Sequence, residues 1–290
     1  MTGAEHFAAP PNWEWWILAY FVFGGIAGGS YAIGTLIRLV GSPEDQRLSR
    51  IAYVTSFIAL LPCPIFLIAD LGQPLRFVNM LLNTSDGGLG FKYWSPMSLG
   101  SWVLLGFGLF SFVSFLGALG EGGTRSLAGF AAFVRGALGR VWGVIGTGLG
   151  FFIAGYTGVL LSVSNQPVWS DAAWVLGGLF LASGLTGSAA LLIALAQWRK
   201  AEGPGTHALE AADRNFAILE TILLVLFVVS VAVAGTIGKV LGVWLILWVV
   251  VLVGLAAPFV LARRSPMAAP AIALLGLIAL RAVVIFAAQA

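Results

Sequence analysis

Four ionisable side chains lie within long apolar runs or at their ends, where a charge is costly and needs a partner or a function. Asp70 ends one apolar run, and Arg76 follows it six residues later. Arg281 lies in the last apolar run, and Glu220 lies about one turn inside another. These four residues are therefore the first candidates for chemistry in a largely apolar chain.

Each of these charges has a structural and a functional interpretation. In the structural interpretation, Asp70 and Arg76 form an interfacial ion pair that fixes the position of a loop. In the functional interpretation, Asp70 accepts a proton in a reaction. Glu220 extends its carboxylate to a nearby membrane surface, or it relays protons through the protein. Arg281 requires a counter-charge, and Asp70 is the nearest candidate by predicted depth.

Two tyrosines add hydrogen-bonding groups at a similar predicted depth. Tyr20 and Tyr156 both fall within apolar runs, and a buried phenol seeks a hydrogen-bond partner. That partner is either a neighbouring backbone carbonyl or an oxygen of a bound small molecule such as a quinone. Each tyrosine taken alone fits the structural role. The sequence shows no catalytic Ser/His/Asp set and no nucleotide fingerprint.

Resident redox cofactors have too few ligands in this sequence. Cys63 is the single cysteine, and the two histidines, His6 and His207, fall outside the apolar runs. Iron–sulfur clusters need several cysteine thiolates, and a membrane haem needs axial ligands inside the bundle. We therefore predict no haem, no iron–sulfur cluster and no tightly held metal in this chain.

The elements that position these residues are predicted to be membrane-spanning helices. The 290 residues are 59% hydrophobic and 9% charged, whereas soluble domains carry about 25% charged residues. A helix needs about 20 apolar residues to cross the bilayer. We predict an all-α integral membrane protein, a single domain over residues 1–290 with eight transmembrane helices, at approximately 15–39, 51–69, 97–116, 141–163, 173–198, 216–236, 240–262 and 268–288.

The distribution of basic residues predicts the orientation of these helices. Cytoplasmic loops of membrane proteins are enriched in Lys and Arg. One side of the predicted topology carries Arg38, Arg47, Arg50, Arg125, Arg135, Arg140, Arg199, Lys200, Arg214, Arg263 and Arg264. The other carries Arg76, Lys92, Lys239 and Arg281. Both termini are therefore predicted outside, on the periplasmic side of a bacterial inner (plasma) membrane. The net charge is only +3, so we expect lipid rather than nucleic acid as a partner.

The first predicted span carries Gly24, Gly25, Gly28 and Gly29. Small residues four apart let transmembrane helices approach closely. We predict that these two overlapping pairs lie on one face and pack against a neighbouring helix. They are not a phosphate-binding loop, because no strand precedes them and no lysine follows.

Several segments together resemble the NrfD-like family, which includes the membrane subunit of polysulfide reductase. The resemblance rests on residues 20–30 (YFVFGGIAGGS), 69–77 (ADLGQPLRF), 94–98 (WSPMS), 156–161 (YTGVLL) and 166–169 (QPVW), with support from Glu220 and Arg281. These pieces span most of the chain. Residues 69–77 and 94–98 are the more specific pieces.

The resemblance implies an eight-helix anchor, which we expect to divide into two four-helix halves, exchanging electrons with menaquinone or ubiquinone. Tyr156 matches a quinone-bonding tyrosine of the family, and Tyr20 stands where some relatives have a histidine. With Arg76 and Arg281 they form the expected quinone site. Asp70 is then the expected proton acceptor.

Three further expectations follow from the resemblance. Glu220 is expected on a proton path. The expected partners are a ferredoxin-like iron–sulfur subunit on the outer face and a molybdopterin catalytic subunit. The chain alone would then be one part of a respiratory oxidoreductase complex and not a complete enzyme.

Two alternatives remain open from the sequence. A small-molecule transporter would show inverted repeats and helices broken near the midplane, and no clear repeat is visible. A purely structural membrane anchor would hold the other subunits without binding quinone.

Overall fold

The computed structural model describes residues 11–83, 87–201, 203–261, 265 and 267–289. His6, Arg263, Arg264 and the predicted span end at 262 lie outside the described residues. The helices are α1 (Trp15–Val40), α2 (Gln46–Leu60), α3 (Pro62–Asp70), α4 (Pro96–Glu121), α5 (Ala128–Arg135), α6 (Ala137–Ser162), α7 (Ala173–Trp198), α8 (Pro204–Val233), α9 (Ile237–Leu241), α10 (Leu245–Val260) and α11 (Ala268–Ala287). Short 3-10 turns lie at Pro43–Asp45, Pro74–Met80 and Arg125–Leu127, and β1 (Leu82–Asn83) pairs antiparallel with β2 (Gly88–Leu89).

Within these described ranges, seven helical segments are long and apolar enough to cross a membrane. They are Trp15–Val40, Pro43–Asp70, Pro96–Glu121, Ala137–Ser162, Ala173–Trp198, Pro204–Val233 and Ala268–Ala287. The second contains a break at Pro62, between α2 and α3, because proline lacks the N–H that a continuous helix requires. The prediction of an all-α integral membrane architecture is thus confirmed.

The run predicted as a span at 240–262 is divided in the structure. Val240 belongs to the five-residue α9, and α10 begins at Leu245 after a turn at Gly242. The 16 residues of α10 rise about 24 Å, which is less than the roughly 30 Å of the hydrocarbon core. The count of eight spans therefore stays a prediction.

Helix α8 begins twelve residues before the predicted start at 216. Pro204 occupies its first turn, where a missing N–H costs nothing. An Asp45 carboxylate oxygen accepts a hydrogen bond from the Gly205 N–H at 2.7 Å. This capping lets the polar stretch before residue 216 continue the helix, so Glu220 lies near its middle.

The helices pack as two groups of four elements. The first ring joins α1, α2, α4 and α6, and the second joins α7, α8, α10 and α11. Helix α7 contacts both α1 and α6, and α11 also reaches α1. The groups therefore meet where α7 packs against α1 and α6 and where α11 reaches α1, which agrees with the heavy burial of α1 and α7.

The four glycines of α1 serve two different contacts. A side chain at Gly28 would collide with the backbone of Gly150 on α6, and one at Gly29 would collide with Gly184 on α7. The prediction of close packing is correct, but the two pairs do not share one face. Adjacent residues point about 100° apart on a helix, so one pair meets α6 and the other meets α7.

The bundle has two chemically different ends. The tyrosine end contains Tyr20 and Tyr156, the end of α3 and the start of α4. The arginine end contains Arg47 and Arg50 at the start of α2 and Arg199 after α7. The membrane orientation of these ends follows from the count of basic residues and stays a prediction.

Candidate functional site

Tyr20 and Tyr156 come together at the tyrosine end. Tyr20 lies on α1 and Tyr156 on α6, with 2% and 6% of their surfaces exposed. Tyr20 lies near enough to Tyr156 and to Cys63 of α3 for their charges to interact. Three helices thus converge on the Tyr20 hydroxyl. Among the described residues, that hydroxyl has no hydrogen-bond partner.

The Tyr156 hydroxyl, in contrast, is already engaged. It donates a hydrogen bond to the carbonyl of Pro96, in the first turn of α4. Its ring lies against Gly100, where any larger residue would collide with it, and stacks on Phe152 with centroids 5.4 Å apart. The donated proton leaves the phenolic oxygen free to act as an acceptor.

Asp70 lies at the rim of this site. It ends α3 seven residues after Cys63, so both lie on one side of the helix. The charge that acts on Asp70 is that of Glu14, a second carboxylate. Within the described part of the chain, Asp70 forms no ion pair.

The expected ion pairs of Asp70 are therefore wrong. The 3-10 turn Pro74–Met80 carries Arg76 onto the exposed surface. Arg281 is enclosed between other helices, and the carboxylate whose charge it feels is Glu220. Predicted membrane depth alone suggested Asp70 as the partner of Arg281. In the structure α11 packs against α7, and Arg281 points toward α7 and away from α3.

Arg281 is completely buried where the two helix groups meet. Its guanidinium donates to the carbonyl of Phe21 on α1 and, at 2.9 Å, to that of Phe180 on α7. It also lies 5.0 Å from the centroid of the Phe180 ring, a cation–π distance. Gly25 provides the space, since any side chain there would overlap the guanidinium.

Glu220 is buried with 3% of its surface exposed, so the expectation that it reaches the membrane surface is wrong. It lies sixteen residues after the start of α8 and thirteen before its end. The hydroxyls of Thr186 and Ser183 on α7 face it. A cavity of about 10 Å³ borders Glu220 and Thr186, which suffices for about one water molecule.

Asp213 is a buried carboxylate that the sequence interpretation missed. It lies seven residues before Glu220 on the same face of α8, with 6% exposure, and the two charges interact. One of its carboxylate oxygens is buried with no hydrogen-bond partner among described residues. Its signal in the sequence is the seven-residue spacing from Glu220, and the polar residues before 216 conceal the helix that carries both.

The structure thus groups the candidates into two sets. Tyr20, Tyr156 and, further out, Asp70 line the tyrosine end, while Glu220 and Arg281 lie deeper, between α7, α8 and α11. Helix α1 touches both sets, since Phe21 binds Arg281 next to Tyr20. Arg76 lies apart from both. No cluster of three or more His, Cys, Asp or Glu suited to a metal occurs in the described ranges.

Comparison with known proteins identifies a family and a relative. The model of the family described as "Polysulphide reductase, NrfD" matches residues 5–290. The chain is also similar to one of the subunits of selenate reductase from Mesobacillus selenatarsenatis, with 29% identity over 93 residues. That alignment covers 32% of this chain and 20% of the relative, so it reaches only a fifth of the relative's length.

The charges of Arg281 and Glu220 are expected to stabilise each other. Arg281→Gln should lower the free energy of unfolding less when Glu220 is already Gln, because a buried charge is costly when its partner is lost. We expect a coupling of about 0.5–3 kcal/mol, measured by unfolding of the single and double variants in detergent. As a control, Glu210 is a half-exposed carboxylate on α8, the helix of Glu220. The effects of Arg281→Gln and Glu210→Gln on the free energy of unfolding should be additive. Equal coupling in both cycles would contradict the assignment.

Proposed function

The chain belongs to the NrfD family of polysulphide reductase, and from this premise we propose that it is the quinone-interacting subunit of a multi-subunit oxidoreductase. In this function it passes electrons between membrane quinol and an iron–sulfur partner. The observation that carries the proposal is the unpartnered Tyr20 hydroxyl beside Tyr156 at one end of the bundle. The family match over residues 5–290 supports it.

The hydrogen-bonding capacity of the two tyrosines suits a quinol. Tyr156 donates its proton to Pro96, so toward a ligand its oxygen accepts, and a quinol hydroxyl is a donor. Tyr20 has both its proton and its lone pairs available, so it can hold the second ring oxygen in either redox state. The pair therefore binds the reduced carrier without breaking the contact that anchors α4.

Oxidation of one quinol to quinone releases two electrons and two protons. We propose that Asp70 accepts the two protons one after the other and releases each to the water at its exposed side, while the two electrons pass to the iron–sulfur partner. Asp70 is half-buried and lies near Glu14, the residue that precedes the first turn of α1. Glu14 comes six residues before Tyr20, or about 9 Å along the helix direction, so Asp70 lies further out than the tyrosines. At that offset the proton reaches Asp70 through water.

The two arginines have separate proposed roles. Arg281 is engaged with the carbonyls of Phe21 and Phe180, so it acts as a positioning residue that fixes the backbone next to Tyr20. Arg76 is exposed and forms no ion pair with a described residue. Because it lies apart from the tyrosines, its proposed contact with a quinone oxygen is at the protein surface and not at the ring held by Tyr20 and Tyr156.

We place the iron–sulfur partner over the connection between α3 and α4. This segment exposes large apolar side chains, including Leu75 at 88%, Leu89 at 72% and Trp94 at 68%. Exposed apolar patches of this kind mark interaction surfaces, and electron transfer requires the cluster to lie close to the quinone. A molybdopterin subunit would bind beyond it. The relative's name, a subunit of selenate reductase, supports assembly into a complex.

Removing the Tyr20 hydroxyl separates binding from folding. In the intact complex, Tyr20→Phe should raise the KM for quinol roughly two- to tenfold, the effect of one hydrogen bond of about 0.5–1.5 kcal/mol. Its thermal unfolding should match the wild type, because the hydroxyl has no hydrogen-bond partner among the described residues to lose. Steady-state quinol oxidation and unfolding temperature provide the two measurements.

Tyr156→Phe and Tyr93→Phe complete the comparison. Tyr156→Phe should lower both quinol oxidation and stability, since it also loses the bond to Pro96. Tyr93 is 74% exposed in the segment proposed to lie under the partner, and its variant keeps the aromatic ring there, so it should oxidise quinol as the wild type does. If Tyr20→Phe oxidises quinol with unchanged kinetics, the chain is better explained as a structural anchor.

Asp70→Asn is expected to reduce turnover rather than binding. Losing a general base lowers kcat by about 10²-fold or more, while the KM for quinol should change little because the tyrosines hold the ring. Glu14→Gln removes the neighbouring carboxylate and is expected to retain kcat. A normal kcat in Asp70→Asn would exclude the proposed proton acceptor.

We further propose that Glu220 and Asp213 carry protons from the arginine end. Glu220→Gln should lower the membrane potential generated per electron at least about threefold in reconstituted vesicles, since an amide does not take up a proton. Glu210→Gln, also on α8 but half-exposed, serves as the control. An unchanged potential per electron in Glu220→Gln would show that protons do not pass this residue.

A further inference from the structure

An apolar groove of about 470 Å³ follows α2 at the arginine end. Its walls include Ile51 and Ile58 on α2 and Leu191 and Leu195 on α7. Phe23 of α1 also lines it. From Arg47 to Ile58 the groove extends eleven residues along α2, or about 16 Å. We call it the α2 groove. Its shape and lining suit a single hydrocarbon chain.

Three arginines line the α2 groove at its membrane-surface end: Arg47, Arg50 and Arg199. Arg47 donates to the carbonyls of Arg199 at 2.9 Å and Lys200 at 3.3 Å, which ties α2 to the end of α7. Arg50 donates one bond, to the Glu121 carbonyl at 2.8 Å. In the described ranges none of the three has a carboxylate within 4 Å.

Glu121, whose backbone carbonyl accepts the Arg50 hydrogen bond, has a side-chain carboxylate that another arginine already neutralises. The Glu121 carboxylate accepts hydrogen bonds from both terminal nitrogens of Arg38, at 3.0 and 2.8 Å. The side-chain nitrogen of Arg135 lies 3.9 Å from the same carboxylate. Beyond Arg50, a separate polar cavity of about 620 Å³ is also lined by Arg140. Among the described residues that line these two cavities, arginines therefore outnumber carboxylates.

We propose that the α2 groove binds an anionic phospholipid, with one acyl chain in the groove and its phosphate held by Arg50 and Arg199. Guanidinium groups bind phosphate oxygens in paired hydrogen bonds, and basic pockets between transmembrane helices recognise anionic lipid headgroups. A neutral quinone would not require this uncompensated charge. A soluble anion would not use 16 Å of apolar wall. The proposal is independent of quinone binding at the opposite end.

The test uses the full-length chain, delipidated in detergent, and native mass spectrometry of lipid adducts. Phosphatidylglycerol and phosphatidylcholine with the same acyl chains are compared, with inorganic phosphate as a third probe. Phosphatidylglycerol should bind about tenfold more tightly than phosphatidylcholine, and excess inorganic phosphate should compete weakly. Equal binding of the two lipids would overturn the proposal, and full displacement by inorganic phosphate would assign the site to a soluble anion.

Variants then locate the site. The double substitution Arg50→Gln with Arg199→Gln should abolish the preference for phosphatidylglycerol over phosphatidylcholine. The charge-conserving Arg50→Lys with Arg199→Lys should retain most of that preference. Leu195→Trp fills the groove and should weaken phosphatidylglycerol binding several-fold. Arg125→Gln with Arg214→Gln removes the same charge outside the groove and should leave the preference unchanged. If Arg125→Gln with Arg214→Gln lowers the preference as much as Arg50→Gln with Arg199→Gln, the preference comes from overall charge and the groove is not the site.

Discussion

The buried guanidinium of Arg281 holds together the parts of the molecule on which the candidate site depends. It extends from α11, in the second helix group, and donates to carbonyls of α1 and α7. A charge so far from solvent persists only where several groups stabilise it. Gly25 admits it, Phe180 lies beside it, and Glu220 supplies the nearest acting negative charge. Because Phe21 adjoins Tyr20, this junction also fixes one wall of the tyrosine site.

The two ends of the bundle differ in the kind of polar group they present. The tyrosine end offers neutral phenols with the Asp70 and Glu14 carboxylates at its rim, which suits a neutral two-electron carrier and its protons. The arginine end offers an apolar groove beside three arginines that have no carboxylate within 4 Å among the described residues, which suits a lipid anion. Between them, Asp213 and Glu220 lie on one face of α8. The proposed functions therefore use different electrostatic environments within one small bundle.

The sequence determined the helical membrane architecture, because apolar runs of about 20 residues have no other stable arrangement in a bilayer. It also singled out Asp70, Glu220, Tyr20, Tyr156 and Arg281, since polar groups in apolar runs are few and costly. The glycines of α1 also predicted close packing, because small residues permit close helix approach. These conclusions needed only local composition and spacing. The family resemblance added the expected redox role, and the family match over residues 5–290 confirms membership.

Only the tertiary structure decided which of these groups meet. Depth along the chain suggested Asp70 as the partner of Arg281, but helix rotation faces Arg281 toward α7 and α8, where Glu220 lies. The start of α8 was hidden because its first turns are polar, and the cap that stabilises them comes from Asp45, more than 150 residues away in sequence. Asp213 was missed with it. Long-range packing sets the rotation and the ends of each helix, and neither is encoded in hydropathy alone.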